Sequence, residues 1–566
     1  MQRIFDICIL TWAIAGCGLA QGTRGISYRE YLDKIHGGWT GKALGLAMGV
    51  PKEYSEPWPP SEFSYFAEVP DHFSDRASGD DIYGPLTFQL AFQKYGIRPT
   101  QAQYFMEWNR RLFSGRIWGS LDQALDHYRA GLSPSKTGLP GYNRGWDDMG
   151  AQMCADIAGW IAPGLTNTAA RTADHLARIM SSEVGAHGAV FIGALESEAF
   201  FTNDPTELVR RAQSVLPPGS RFIELGNDLM RWRKQQPDWR IARQMLAKQY
   251  NLDQNPRDLS GLLQGGVVIL ALLYGDGDFE KSLLIAQKCG WDSDTNASTV
   301  AGILGTMHGF SLIPPKWRFV LHDTYENYCI KGLPRWMTFS DVAHDTLEIG
   351  EKVIQENGGQ VTGSEAERRY VIPIQDPLRL PADRPVTPQF IEENRREMLL
   401  FYRDKLKGIT EGWNPSWDLT MASFETPPAV LPDYMGRKKV LRAEPGPNGA
   451  ILEASVSLAA GKHHYLRVGV AHHPTVICEE TGAPEIGSWR LEVRINGKTI
   501  GSHQVQTQGG LVVWEDPQFD LTPYAGATVH VSLVALQTYA EFYKASMTSY
   551  WSGVEFISLD APEPWR

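Results

Sequence analysis

Three acidic stretches of this chain are spaced for metal chemistry. In GWDSDTNASTVAGILG, Gly290 to Gly305, Asp292 and Asp294 stand one residue apart with Thr295 next, before a run of small and apolar residues. SGDDIYGPL places Asp80 and Asp81 side by side at a predicted helix start, and GVPKEY places Glu53 just beyond a glycine-rich helix. Hard cations such as Mg²⁺ take oxygen ligands in near-octahedral geometry and keep several waters. Two such ions ~3.5–4 Å apart need several carboxylates to neutralise and bridge them. Asp80, Asp81, Asp292 and Asp294, with the Thr295 hydroxyl, are that inventory. Aspartate is also a common helix cap, and a lone pair is more often a cap than a ligand. Two pairs, each opening a small or apolar helix, weaken the cap reading without removing it.

The elements that must hold these residues are mostly helical from Ser27 to about Gly359. Ser27 and Glu30 have the spacing of a capping box that opens a helix. Gly37, Gly41, Gly45 and Gly49 then recur every four residues on one face. Each glycine weakens a helix by ~1 kcal/mol against alanine, so the close approach of another helix is expected as compensation. TVAGILGTMHG repeats the small-residue theme, and GGVVILALLYG is apolar all round, as in a buried helix. Residues 360–386 are rich in Pro and Arg, which is linker chemistry. Thr387-Pro388 caps one more amphipathic helix ending at Gly408. From about Val440 the period changes to two. Leu491, Val493 and Ile495 alternate with charged residues, and Asn496-Gly497 is a hairpin turn. The expected architecture is therefore mainly α: an all-α helical domain over 27–360, a linker with one amphipathic helix over 361–437, and an antiparallel, jelly-roll-like β-sandwich over 438–566.

With 566 residues, several domains are expected. A hydrophobic fraction of 43% excludes a disordered chain, and a net charge of −11 argues against a nucleic-acid partner. Residues 1–21 read as a signal peptide: a basic start, an apolar run too short to span a bilayer, and GLA before Gln21. IAGC, Ile14 to Cys17, also fits a lipoprotein signal, so export as a free or lipid-anchored protein is expected, with the anchor the only membrane contact. Cys154, Cys289, Cys329 and Cys478 are far apart and without CxxC spacing, which points to buried free thiols. The adjacent histidines His463-His464 and His472-His473 read as strand residues on opposite faces, unsuited to a shared metal.

GGWTGKALGLAMGVPKE, GDDIYGPLTFQLAF and GWDSDTNASTVAGILG, in that order and at that separation, resemble the motifs of the ADP-ribosylglycohydrolase family over roughly residues 27 to 350. MGAQMCADIAGWIAPG and GAVFIGALESEAF resemble further segments of a bacterial branch. The resemblance implies an all-α fold with two Mg²⁺ ions, or Mn²⁺, in a cleft. Asp80, Asp81, Asp292, Asp294 and Thr295 take its metal-ligand positions, and Glu53 falls on a glutamate used in acid/base catalysis or substrate gating. Two residues depart from the pattern: Gly79 stands where a threonine usually precedes the Asp pair, and Leu46 stands where many members have aspartate.

Asp148, Gln152 and Asp156 are expected to line a sugar pocket, although Asp156 could equally be a paired helix residue. His187, beside small residues in GAHGAVF, could face the cleft or be a satisfied structural histidine. The implied function is exported, Mg²⁺-dependent hydrolysis of a glycosidic bond at the anomeric carbon of ribose or a related sugar, on a small-molecule or glycan substrate. The alternatives are a furanosidase acting on glycans and an inactive sugar-binding protein. No pattern speaks to an oligomer.

Overall fold

Ser27 has extended backbone and its hydroxyl accepts from Glu30 N, so the chain turns there from a strand into the helix α1, Tyr28–Gly49. The computed structural model describes residues 22–54, 78–112, 117–250, 258–422, 427–445, 449–472, 487–506, 513–540 and 548–562. The expected signal segment, Cys478 and His473 lie outside them.

Six further helices carry the argument: α2 (Asp80–Tyr95), α3 (Glu183–Ala199), α4 (Gly261–Gly275), α5 (Ser293–His308), α6 (Phe339–Glu356) and α7 (Pro388–Ile409). Every residue of α4 is buried, as a helix apolar all round must be. On α7 the Thr387 hydroxyl accepts from Phe390 N and Pro388 fills the first helical position. The core around α1 to α6 is closed by large fully buried side chains, among them Trp39, Trp160 and Tyr31. Cys154, Cys289 and Cys329 are buried thiols, as expected.

The stretch that reads as a linker also contributes strands. β1 (Thr23–Ser27) pairs antiparallel with a later segment, and a small hairpin, β2 (Thr324–Glu326) with β3 (Trp336–Thr338), follows α5. β4 (Gln360–Thr362) and β5 (Arg369–Pro373) complete a three-stranded sheet in the order β1-β5-β4. The reason is burial: Tyr370 and Ile372 are fully buried, and the Tyr370 ring meets Tyr31 of α1 edge-on.

Toward the C-terminus run β6 (Asp418–Met421), β7 (Ala429–Tyr434), β8 (Arg437–Ala443), β9 (Ala450–Ser457) and β10 (His463–His472). β11 (Gly487–Ile495), β12 (Lys498–Gln506), β13 (Gln518–Asp520), β14 (Thr528–Ala540) and β15 (Ser549–Leu559) complete the set. They form two five-stranded antiparallel sheets, β13-β10-β15-β8-β7 and β12-β11-β14-β9-β6, with the chain crossing repeatedly between them as in a jelly roll. Asn496 and Gly497, both at positive φ, turn β11 into β12. Trp489, Leu491, Val493 and Ile495 point inward on β11. His464 is buried, bonded to Ala459 O and Ser558, so it is a structural strand residue.

The sandwich shares a core with the helical part. Met398, Tyr402 and Leu406 of α7, together with Leu132 and Tyr142, join its buried side chains in one cluster. His127 is satisfied between the Tyr402 hydroxyl and Tyr142 O, and burial lowers its pKa to about 4. Arg442 of β8 lies 2.6 Å from Asp126, and Arg144 pairs with Glu444.

Candidate metal centre

The glycines every four residues in α1 lie against α5, running the opposite way. A β-carbon placed on Gly37, Gly41 or Gly45 would fall 2.2, 2.1 and 2.1 Å from the carbonyl oxygens of Gly305, Ala301 and Ala297. One placed on Gly49 would fall 2.2 Å from Asp294 Cα. Backbone touches backbone along four turns, an approach only glycine permits. This contact is the compensation the weakened helix requires, and it pins the segment of Asp292 and Asp294 to the end of α1. Ser293 Oγ donates to Gly49 O at 2.8 Å, and Tyr54 N donates to Trp291 O at 2.6 Å. Tyr54 and Trp291, which flank Glu53 and Asp292, both hold positive φ, 57° and 55°. Non-glycine residues held there store strain, a frequent mark of functional sites.

Glu53, Asp292 and Asp294 converge: each offers a carboxylate oxygen within 4.8 Å of the others. Asp292 is the N-cap of α5 and Asp294 lies in its first turn; Asp80 and Asp81 open α2 after Gly79. Thr295 Oγ1 donates to Asp81 Oδ2 at 3.1 Å, which links the two helix starts. Burial, then the Asp294 charge, raises the Asp80 pKa to about 6. Burial raises Asp81 well above the carboxylate range against the opposing pull of Lys42, and burial with the Asp294 charge does the same to Asp292. Buried like charges at this density are neutralised by protons or by a cation. Asp294 Oδ1 is buried and takes no hydrogen bond among the described residues, so an acceptor stands ready for one. An all-oxygen donor set suits a hard divalent cation.

Behind Asp81 lies a group the sequence did not single out. Lys42 Nζ stands 3.6 Å from Asp81 Oδ1 and 2.9 Å from Asp156 Oδ2, and all three side chains are fully buried. Burial works to lower the Lys42 pKa, but the charges of Asp156 and Asp81 outweigh it and raise it. Asp156 hydrogen-bonds in turn to Glu196, which accepts from Trp160 Nε1 at 2.9 Å. Burial, then the Asp156 charge, pushes Glu196 well up. The signal for Lys42 was a lone charge inside WTGKALG, on a helix too small and apolar to be a solvated face. Tyr54 also escaped notice; its hydroxyl hydrogen-bonds Glu53, and burial, then the Glu53 charge, raises its pKa.

The other sequence-derived residues are placed variously. Asp148 Oδ1 accepts from Gly150 N at 2.9 Å, and its backbone bridges to Ser260. Gln152 is buried against α3 and α4: a β-carbon on Gly188 would fall 2.5 Å from its Oε1, and one on Gly265 3.4 Å. Asp156 belongs to the Lys42 network. His187 Nε2 pairs with Asp383 Oδ2 at 3.0 Å, and Asp383 also pairs with Arg178 at 3.0 Å, so His187 clamps the segment before α7 rather than meeting the acidic cluster. Next to Asp292, and not among those residues, Trp291 is buried beneath the Arg243 guanidinium, 3.8 Å from the ring centroid.

A family model described as ADP-ribosylglycohydrolase matches residues 27–348. No curated protein matches. Among solved structures, an ADP-ribosylglycohydrolase-related protein complex aligns at 17% identity and TM-score 0.39, over 57% of this chain and 99% of that one. A carbohydrate-binding module in complex with β-1,4-galactotriose aligns at 13% identity and TM-score 0.19, over 27% of this chain and 95% of that one. Another, in complex with calcium and xylotriose, aligns at 16% identity and TM-score 0.15, over 23% and 94%. The matched span, 27–348, takes in more than half of the 566 residues together with the acidic cluster at the ends of α1, α2 and α5, and the chain belongs to the ADP-ribosylglycohydrolase family.

Proposed function

We propose that this chain is a divalent-cation-dependent glycoside hydrolase that cleaves a bond at the anomeric carbon of ribose or a related sugar. Family membership supports a hydrolase. The observation that carries the metal dependence is the convergence of Glu53, Asp292 and Asp294, with the buried Asp294 Oδ1 taking no hydrogen bond among the described residues. Asp292 and Asp294, with Asp80 adjoining, would hold Mg²⁺ or Mn²⁺ beside Glu53. The ion would supply a site for sugar hydroxyls and a water of lowered pKa.

Glycoside cleavage passes through an oxocarbenium-like state assisted by carboxylates. Glu53 is the acid/base in this reading: it is only partly buried, it hydrogen-bonds the Tyr54 hydroxyl, and it follows the rigid end of α1. A carboxylate so placed takes a proton from the attacking water or gives one to the leaving group. Thr295 and Lys42 hold Asp81 in place from opposite sides. Asp148 and Gln152 are proposed to face the sugar. Export is proposed from residues 1–21; no helix among the described residues is long and apolar enough to cross a membrane.

The test is incubation of the full chain with Mg²⁺, with and without chelator, on an ADP-ribosylated peptide and a panel of pentofuranosides and glycans, read by mass spectrometry. Chelator-sensitive sugar release is expected, and Asp294→Asn should abolish it with the circular dichroism unchanged. Undiminished release by that variant would refute the metal assignment. Binding of a panel sugar without its turnover would favour an inactive sugar-binding protein.

A further inference from the structure

We infer that the centre takes one divalent ion, on the side of Glu53, Asp292 and Asp294, and that the buried Lys42 ammonium stands as the second cation of the acidic cluster. The inference rests on the metal reading above and concerns the number of ions, not their presence.

Two ions in such a centre would share carboxylates and sit ~3.5–4 Å apart, so the second needs ligand oxygens around Asp81. There the surroundings differ from those at Asp294. Asp81 Oδ2 takes the Thr295 hydroxyl at 3.1 Å, and Oδ1 faces Lys42 Nζ at 3.6 Å. The ammonium has no other place to go. Lys42 lies between Gly41 and Gly45, the two glycines whose backbone is pressed on α5; Ser298 Oγ donates to its carbonyl at 3.0 Å, and Asp156 holds Nζ at 2.9 Å. A divalent ion on Asp81 would meet a fixed like charge.

Gly79, just before the Asp pair, offers no side-chain oxygen. A β-carbon there would lie 3.2 Å from Leu46 Cδ2. The two departures from the family pattern thus meet in space: Leu46 fills the room a side chain at position 79 would need. Three carboxylates converge on one side; an ammonium, a methyl and a glycine stand about Asp81 on the other.

The test counts ions. Full-length protein stripped by chelator is dialysed to equilibrium against saturating Mn²⁺, and metal per chain is measured by elemental analysis and electron paramagnetic resonance. One Mn²⁺ per chain, with the resolved hyperfine pattern of an isolated ion, is expected. Two per chain with an exchange-broadened, coupled spectrum would overturn the inference while leaving the metal reading intact; no bound Mn²⁺ would overturn both. A double variant, Lys42→Ala with Leu46→Asp, checked for folding by circular dichroism, should take up a second, coupled Mn²⁺. A folded double variant that still holds one ion would overturn the role given to Lys42.

Discussion

Gly45→Ala sets two effects of opposite sign against each other. Helix propensity alone favours alanine by ~1 kcal/mol, so in a solvated helix the change would stabilise. In α1 the new methyl would stand 2.1 Å from Ala297 O, when real β-carbons essentially never come within 3.0 Å of a neighbour. The shortfall is at least about 0.9 Å, and it is against backbone, which cannot swing aside. Overpacking against yielding side chains costs about 1–3 kcal/mol; rigid backbone places this case at the upper end or above it. After the propensity gain, a net loss of about 2 kcal/mol or more is expected. One turn further on, Gly49 touches Asp294, so separating the helices also pulls Asp294 away from Glu53. Thermal unfolding and Mg²⁺ titration of the same variant read the two consequences: a lowered Tm and at least a tenfold weaker Mg²⁺ affinity. Gly408→Ala on α7, where a β-carbon meets nothing within 4 Å, is the control and should hold or raise Tm. If Gly45→Ala raised Tm as Gly408→Ala does, the backbone zipper and the positioning argument built on it would be wrong.

Glu53→Gln should lower turnover by roughly a hundredfold or more, as for loss of a general acid/base, with a smaller change in Mg²⁺ affinity; unchanged turnover removes Glu53 from that role. Asp80 titrates near 6 rather than in the usual carboxylate range, so the folded chain binds its proton where the unfolded chain does not. That contribution to stability is full below the unfolded pKa and is lost as pH rises through about 6. Mg²⁺ relieves the deprotonated cluster, so the gap in Tm between Mg²⁺-loaded and chelated protein should widen from pH 5 to pH 7; a constant gap would refute the coupling. Arg442→Met removes the arginine nearer to Asp126, leaving Arg129 at 3.3 Å, beside Asp122, whose pKa burial and the Asp126 charge already raise to about 6. Breaking a buried pair costs about 3–5 kcal/mol, so the variant should lose yield and Tm sharply. A chain ending near residue 430 should aggregate for the same reason, and a soluble, active fragment of that length would refute the shared core.

The sequence was legible where one element states its own requirement. Glycines every four residues announce a missing side-chain layer, and α5 with its small residues supplies the partner. Asp292 and Asp294 were readable because a cap needs one acidic residue, not two. The hairpin at Asn496-Gly497 and the alternation of β11 were readable from period and turn chemistry. What escaped needed a partner from elsewhere in the chain. Lys42 takes its meaning from Asp81 and Asp156, on two other elements. His187 takes its meaning from Asp383, in a stretch whose prolines suggest only a linker. β5 lies in that same stretch, and its five residues are too few to show a period until Thr23–Ser27 is set beside them.

The zipper of α1 on α5 also fixes when the molecule can come into being. A growing chain releases α1 long before α5 exists, and a helix with this many glycines has too little intrinsic propensity to hold its shape alone. β1 waits longer still, for β5 beyond α6. The N-terminal end therefore stays open until most of the helical part has been made, and Glu53 meets Asp292 and Asp294 only when α5 docks. Assembly of the centre and consolidation of the fold are one late event, so an incomplete chain carries the acidic residues without carrying the site.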